Sequence, residues 1–253
     1  MADMKEDDKI PFTEHLEELR KRLIICFIAV GIGFVVSYCF KEKLFEVLTR
    51  PLVSVMKNGE TLIFTGLPEA FLAYLKVSLI TGIGLASPVI MYQFWKFVAP
   101  GLYKKERRIL IPVVLMSTVF FVGGALFGYF VVFPIGFKFF MSFATKTIRP
   151  LPSMREYLSF ASTLLLAFGL VFELPLVITF MARLGIVTVP FLKKNRKYAI
   201  LIAFIVAALL TPPDVGSQIM MALPLMVLYE ISIIGARLFS KKPSESEPEP
   251  EEG

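Results

Sequence analysis

Six long apolar runs recur along this chain, at 23–40, 71–97, 109–133, 157–182, 199–210 and 218–234. A helix needs about 20 apolar residues to cross the hydrocarbon of a bilayer. Inside lipid every backbone polar group must be satisfied internally, so only helices and closed barrels can span. The alternating strands of an outer-membrane barrel are absent. The expected fold is therefore all-α: a polytopic integral membrane protein with six transmembrane helices in residues 1–240. Composition agrees, with 56% hydrophobic and 19% charged residues. No small-residue cleavage site follows the first run, so no cleavable signal peptide is expected.

Charge fixes the expected orientation. Eighteen Lys and Arg fall in the N-terminal segment, the second and fourth loops and the C-terminal segment, against eight in the other loops. Positive residues concentrate on the cytoplasmic side, so both termini are expected there, in an inner (cytoplasmic) membrane. The net charge of +6 flanks apolar runs and forms no soluble basic face, which argues against nucleic acid as a partner. Segments 41–70 and 134–156 fall on the opposite side. Both carry apolar, helical-looking stretches, the first interrupted by Pro51, and are expected to lie as caps on the membrane surface. The tail, 241–253, is acidic and of low complexity, and is expected to be disordered.

Proline recurs within or beside the runs, at Pro88, Pro112, Pro134, Pro175 and Pro224. Each removes a backbone donor and favours a kink, so the bundle is expected to be kinked and concave. The fifth run is only twelve residues long, about 18 Å of helix against roughly 30 Å of hydrocarbon. Such a span either thins the bilayer or packs within a hairpin.

Charged residues inside the runs narrow the function. Glu173 lies deep in the fourth run, where an ionised carboxylate costs roughly 3 kcal/mol or more. It is a protonated structural residue, a proton relay or an intramembrane polar docking point. Lys76 can snorkel to the nearby interface. Glu230 either pairs with Arg237 or reaches water. Thr211-Pro212-Pro213-Asp214 stops the fifth run, and Asp214 is placed to cap the sixth helix. Gln218 follows one turn later, at a position to bond a partner helix. Cys26 and Cys39 are about 20 Å apart along one helix, too far for a disulfide. His15 alone builds neither a metal site nor a catalytic triad, and no nucleotide-binding loop appears. No cofactor, no metal and no enzyme activity are expected.

Two carboxylates remain on the basic side. Glu18 precedes the first run and faces Arg22 at i+4, which by itself reads as a solvated helix end. Glu106 stands among basic neighbours in the loop between the second and third runs. Together they suit a guanidinium, which a carboxylate binds bidentately, whereas Lys offers only a point charge.

These residues fall in an ordered series of motifs. They are His15-Leu16-x-Glu18-Leu19-Arg20-x-Arg22, Pro51-Leu52, Ser87-Pro88-Val89-Ile90-x-Tyr92-Gln93 and Phe97-x-Ala99-Pro100-Gly101-Leu102-Tyr103. Glu106-Arg107-Arg108, Phe172-Glu173-x-Pro175 and Thr211-Pro212-Pro213-Asp214-x-x-Ser217-Gln218 follow. The series resembles the TatC family, the receptor core of the twin-arginine protein translocase, over nearly the whole chain. Gly101 stands where Ala is common in that family and Lys105 where His is common.

The resemblance implies a receptor and assembly platform that moves folded proteins across the membrane, driven by the proton-motive force. It implies that Glu18 and Glu106, with Arg20 and Phe97, bind the paired arginines of a signal peptide. Pro51 would shape the first segment on the far side, and Glu173 would be the intramembrane polar site. Thr211 and Gln218 would face the single-span partners TatA and TatB, in a complex where the chain is also expected to self-associate. The rival reading is a proton-coupled transporter working through Glu173. It calls for internal repeats, and the runs show no paired pattern.

Overall fold

A computed structural model describes residues 12–56, 62–64, 66–98, 107–145, 150–211 and 214–239. The described residues are helical apart from short connections, with α1 (Phe12–Cys39), α2 (Lys41–Val53), α3 (Glu69–Val98), α4 (Arg107–Phe127), α5 (Phe133–Met141), α6 (Met154–Phe172), α7 (Leu174–Arg183), α8 (Val189–Lys194), α9 (Arg196–Leu210) and α10 (Val215–Phe239). Five stretches are long and apolar enough to cross a membrane: Leu16–Cys39, Glu69–Val98, Leu110–Met141, Met154–Arg183 and Val215–Phe239. The fifth expected span is α9, only 15 residues long. The chain groups into two compact units, 1–169 and 170–253.

In the first unit α1 packs along α3. Lipid supplies no hydrophobic drive between helices, so small residues that let backbones approach are what membrane helices use. Gly33 and Gly82 meet at this crossing: a Cβ on Gly82 would stand 2.6 Å from the Phe34 amide nitrogen. Ser37, one turn beyond Gly33, and Ser78, one turn before Gly82, are both buried. On its other flank α3 is tied to α4 by the buried Trp95 indole, which donates to Ser117 Oγ at 2.5 Å.

Three prolines behave in three ways. Pro51 was expected to interrupt a helix, yet α2 continues through it to Val53. Proline has no N–H to give the carbonyl four residues back; here the Tyr129 hydroxyl donates to that carbonyl, Val47 O, at 2.6 Å. The next carbonyl, Leu48 O, accepts from Tyr157 Oη at 2.5 Å. Pro134 was expected to end the third span, but the helical stretch runs on to Met141. A π turn at Gly128–Val132 precedes it and widens the helix enough to absorb the proline. Phe133 and Phe137 are consequently core residues, and Phe137 packs on Tyr157 at 5.4 Å between ring centroids; this part of 134–156 is no surface cap. Pro175 does break its helix. The fourth span divides at Glu173, between α6 and α7, with Pro175 in the first turn of α7.

The end of the first unit that carries α2 is fastened by Glu69, a 6% exposed carboxylate. Its Oε1 accepts from Ser153 Oγ at 2.8 Å and from the Arg155 amide at 2.7 Å. Its Oε2 accepts from the Gly66 amide at 3.2 Å. Arg155 N is one of the orphan donors at the start of α6, so Glu69 caps that helix from another part of the chain, where a negative charge is favoured. The neighbouring Met154 amide donates to Ile63 O at 2.8 Å.

In the second unit α7, α8 and α10 close a small core of Ala182, Leu192, Ile233 and Ala236. Tyr229 Oη donates to Leu192 O at 2.9 Å. α9 folds back beside α10, and Arg196 on α9 pairs with Glu230 at 2.7 Å. Glu230 therefore takes its charge partner from across the hairpin, not from Arg237 one to two turns along its own helix.

Candidate functional site

At one end of the first unit the opening turns of α1 meet the closing turns of α3. Helical spacing stacks Glu17 under Lys21 and Glu18 under Arg22. The first pair, 2.8 Å apart, is largely exposed on both sides. The second pair is different. Arg22 Nε donates to Glu18 Oε1 at 3.1 Å, and Nη2 bonds the same oxygen. The Arg22 side chain is only 11% exposed, the Glu18 side chain 35%. Arg22 Nη1 reaches across to α3 and donates to Gln93 Oε1 at 3.2 Å.

The arrangement is a half-exposed carboxylate oriented by a nearly buried guanidinium, itself steadied by an amide on the neighbouring helix. Phe97 is half-buried one turn beyond Gln93, in the last turn of α3. Arg20 does not join this group. It is exposed, and two residues on from Glu18 it stands about 200° around the helix. Glu106 and its 99–106 loop lie outside the described residues, as do Pro212, Pro213 and the tail. Chemically, the group can hold a guanidinium or an amide-bearing chain on a fixed carboxylate in a part-dry setting, where charge-assisted hydrogen bonds are strongest.

The other expected sites are distinct. Glu173 is 7% exposed at the break between α6 and α7. Its carbonyl accepts from the Val177 amide at 2.9 Å and its amide donates to Leu170 O at 3.1 Å. Helical hydrogen bonding is thinned at a buried acid, so the acid sits where the backbone itself is polar.

Thr211 and Gln218 lie at the turn of the α9–α10 hairpin. Thr211 is buried and its hydroxyl donates to Ala207 O at 2.9 Å. Gln218 Nε2 donates to Phe204 O at 3.2 Å. Gln218 thus ties α10 to α9, whereas the Thr211 bond closes the end of α9 on itself. What the hairpin presents outward is apolar: Leu201, Ile202, Ile205 and Leu209 are all exposed. Asp214 caps α10 as expected, Oδ1 accepting from the Ser217 amide at 2.7 Å. The Ser217 hydroxyl and amide, both donating to the charged form, hold the Asp214 carboxyl below its ordinary range against a small opposing effect of burial.

Sequence reasoning passed over Glu69 and Gln93 as functional positions. The one signal for Glu69 was an acid in a first helical turn, after Pro68. Its Ser153 and Arg155 partners are 84 and 86 residues away, and nothing local announces them. Gln93 was visible only as one letter of a motif.

The family model of the Sec-independent protein translocase protein TatC matches residues 14–224. A Sec-independent protein translocase protein TatC of Desulforapulum autotrophicum is 66% identical over 97% of this chain and 91% of its own length. The protein of the same name from Escherichia coli K12 is 38% identical over 94% of this chain and 93% of its own. A crystal structure of the twin arginine translocase receptor TatC superposes with a TM-score of 0.79 at 42% identity, covering 89% of this chain and 99% of that one.

Proposed function

Because this chain belongs to the TatC family of Sec-independent protein translocase proteins, we propose that it is the receptor of a twin-arginine translocase and the platform on which that machine assembles. It is a multi-pass protein of the prokaryotic inner membrane. The observation that carries the receptor reading is the Glu18 carboxylate, half-exposed and oriented by Arg22, whose guanidinium also donates to Gln93. Glu18 and Glu106 take the paired arginines of a signal peptide, with Phe97 as an apolar wall and Arg20 at the outer rim. The bias of Lys and Arg puts this end, and both termini, in the cytoplasm.

α9 is the fifth of six spans. At 15 residues it rises only about 22 Å and thins the bilayer beside it. The apolar flank of the α9–α10 hairpin, shaped from within by Thr211 and Gln218, receives the single-span partners TatA and TatB. Glu173 offers them or the signal peptide an intramembrane polar contact. The chain self-associates in the complex, and the proton-motive force drives folded cargo across.

Binding of a labelled Arg-Arg signal peptide to the purified full chain tests the reading. Glu18→Ala and Glu106→Ala should each weaken binding, as should Lys-Lys in place of the peptide's Arg-Arg. Unchanged affinity in all three cases refutes it.

A further inference from the structure

The carboxylate that should receive a peptide's arginine already holds one. Arg22 uses both Nε and Nη2 on Glu18 Oε1, while Glu18 Oε2 accepts no hydrogen bond from any described residue. The third arm of the same guanidinium, Nη1, rests on Gln93 Oε1 at 3.2 Å. Arg22 is thus bonded to two acceptors on two helices, and one of them is neutral and needs no cation.

We propose that Arg22 is a built-in occupant of the Glu18 carboxylate, hinged on Gln93, which an incoming guanidinium displaces. The inference rests on the receptor reading of Glu18. An arriving arginine meets Oε2, the open oxygen of a side chain that is 35% exposed. Two guanidinium ions on one carboxylate repel, and the pair no longer neutralises its charge. Arg22 then gives up Oε1 and keeps Gln93, so its buried guanidinium is never left without an acceptor, which would be costly. When the peptide leaves, Arg22 returns. The competitor weakens every cationic ligand at Glu18 alike, which suits a receptor that must release each signal peptide after use.

Two substitutions should act in opposite directions. Arg22→Gln removes the occupant, and the Arg-Arg peptide should bind the detergent-purified full chain about threefold tighter, the scale of a half-exposed ion pair. Gln93→Leu removes the acceptor to which Arg22 retreats, and binding should weaken by about the same factor. A misfolded protein would weaken in both cases. In a Glu18→Gln background, Arg22→Gln should change nothing, because no carboxylate remains to contest. Arg22→Gln that leaves affinity unchanged or lowered, or that tightens binding equally without Glu18, overturns the proposal. If Glu18→Gln alone leaves affinity intact, the receptor reading falls and this inference with it. If Glu18→Gln weakens binding while Arg22→Gln fails to tighten it, only this inference falls.

Discussion

Replacing Gly82 by alanine should separate two helices that backbone contact holds together. The added Cβ would stand 2.6 Å from Phe34 N and 2.9 Å from Gly33 C. That is about 0.8 Å inside ordinary contact, and both opposing atoms belong to helix backbone that cannot rotate away. Overpacking of this kind costs about 1–3 kcal/mol. Alanine also favours a helix over glycine by about 1 kcal/mol, so the raw change understates the clash. Gly84 provides the matched control, since it is on the same helix and a Cβ there meets nothing within 4 Å. The propensity gain cancels between the two variants. For a chain of this size each kcal/mol moves the melting temperature by about 2–4 °C. Gly82→Ala should therefore melt about 2–12 °C below Gly84→Ala, followed by intrinsic fluorescence in one detergent. Equal melting temperatures for the two variants would mean that the α1–α3 crossing yields, and that close backbone approach does not specify it.

Trp95→Phe should destabilise the chain by about 1–3 kcal/mol, because Ser117 Oγ is then left buried without its donor; adding Ser117→Ala should recover most of the loss in a denaturant titration. The Asp214 cap should respond to acid. Its carboxyl is held below its ordinary range by Ser217, so its stabilising effect is complete above the unfolded value of about 3.9 and is lost as pH falls through the lower folded value. The melting advantage of the wild type over Asp214→Ala should accordingly be level above about pH 5 and close in stronger acid; an advantage that persists unchanged there would show that the charge contributes nothing.

Spans were legible because length and apolarity are local properties. Leu16–Cys39 and Glu69–Val98 follow from them directly. The behaviour of proline was not. Pro51, Pro134 and Pro175 present the same missing donor, and the outcome depends on what arrives to replace it. At Pro51 it is the hydroxyl of Tyr129, 82 residues along the chain from the Val47 carbonyl it serves. At Pro134 a π turn takes up the strain, and at Pro175 the helix is interrupted for one residue, Glu173. The same limit applies to charge pairs. Glu18–Arg22 was readable at i+4, whereas Arg196–Glu230 and the Ser153 and Arg155 donors on Glu69 are tertiary and carry no periodicity.

The α1–α3 pair combines a rigid contact with an adjustable one. Its glycine crossing and its Arg22–Gln93 hydrogen bond are contacts between the same two helices, one apolar and without adjustable parts, the other polar and able to exchange partners. A backbone crossing between glycines has little freedom to slide, because any shift drives carbonyl into Cα. It therefore sets the distance at which Gln93 can reach Arg22. That reach decides whether Arg22 has an acceptor other than Glu18, and so whether the carboxylate can be surrendered to a ligand. Loosening the crossing should thus act on the receptor site at a distance. It would do so by leaving Arg22 with Glu18 as its sole acceptor, without altering any residue of the proposed peptide site.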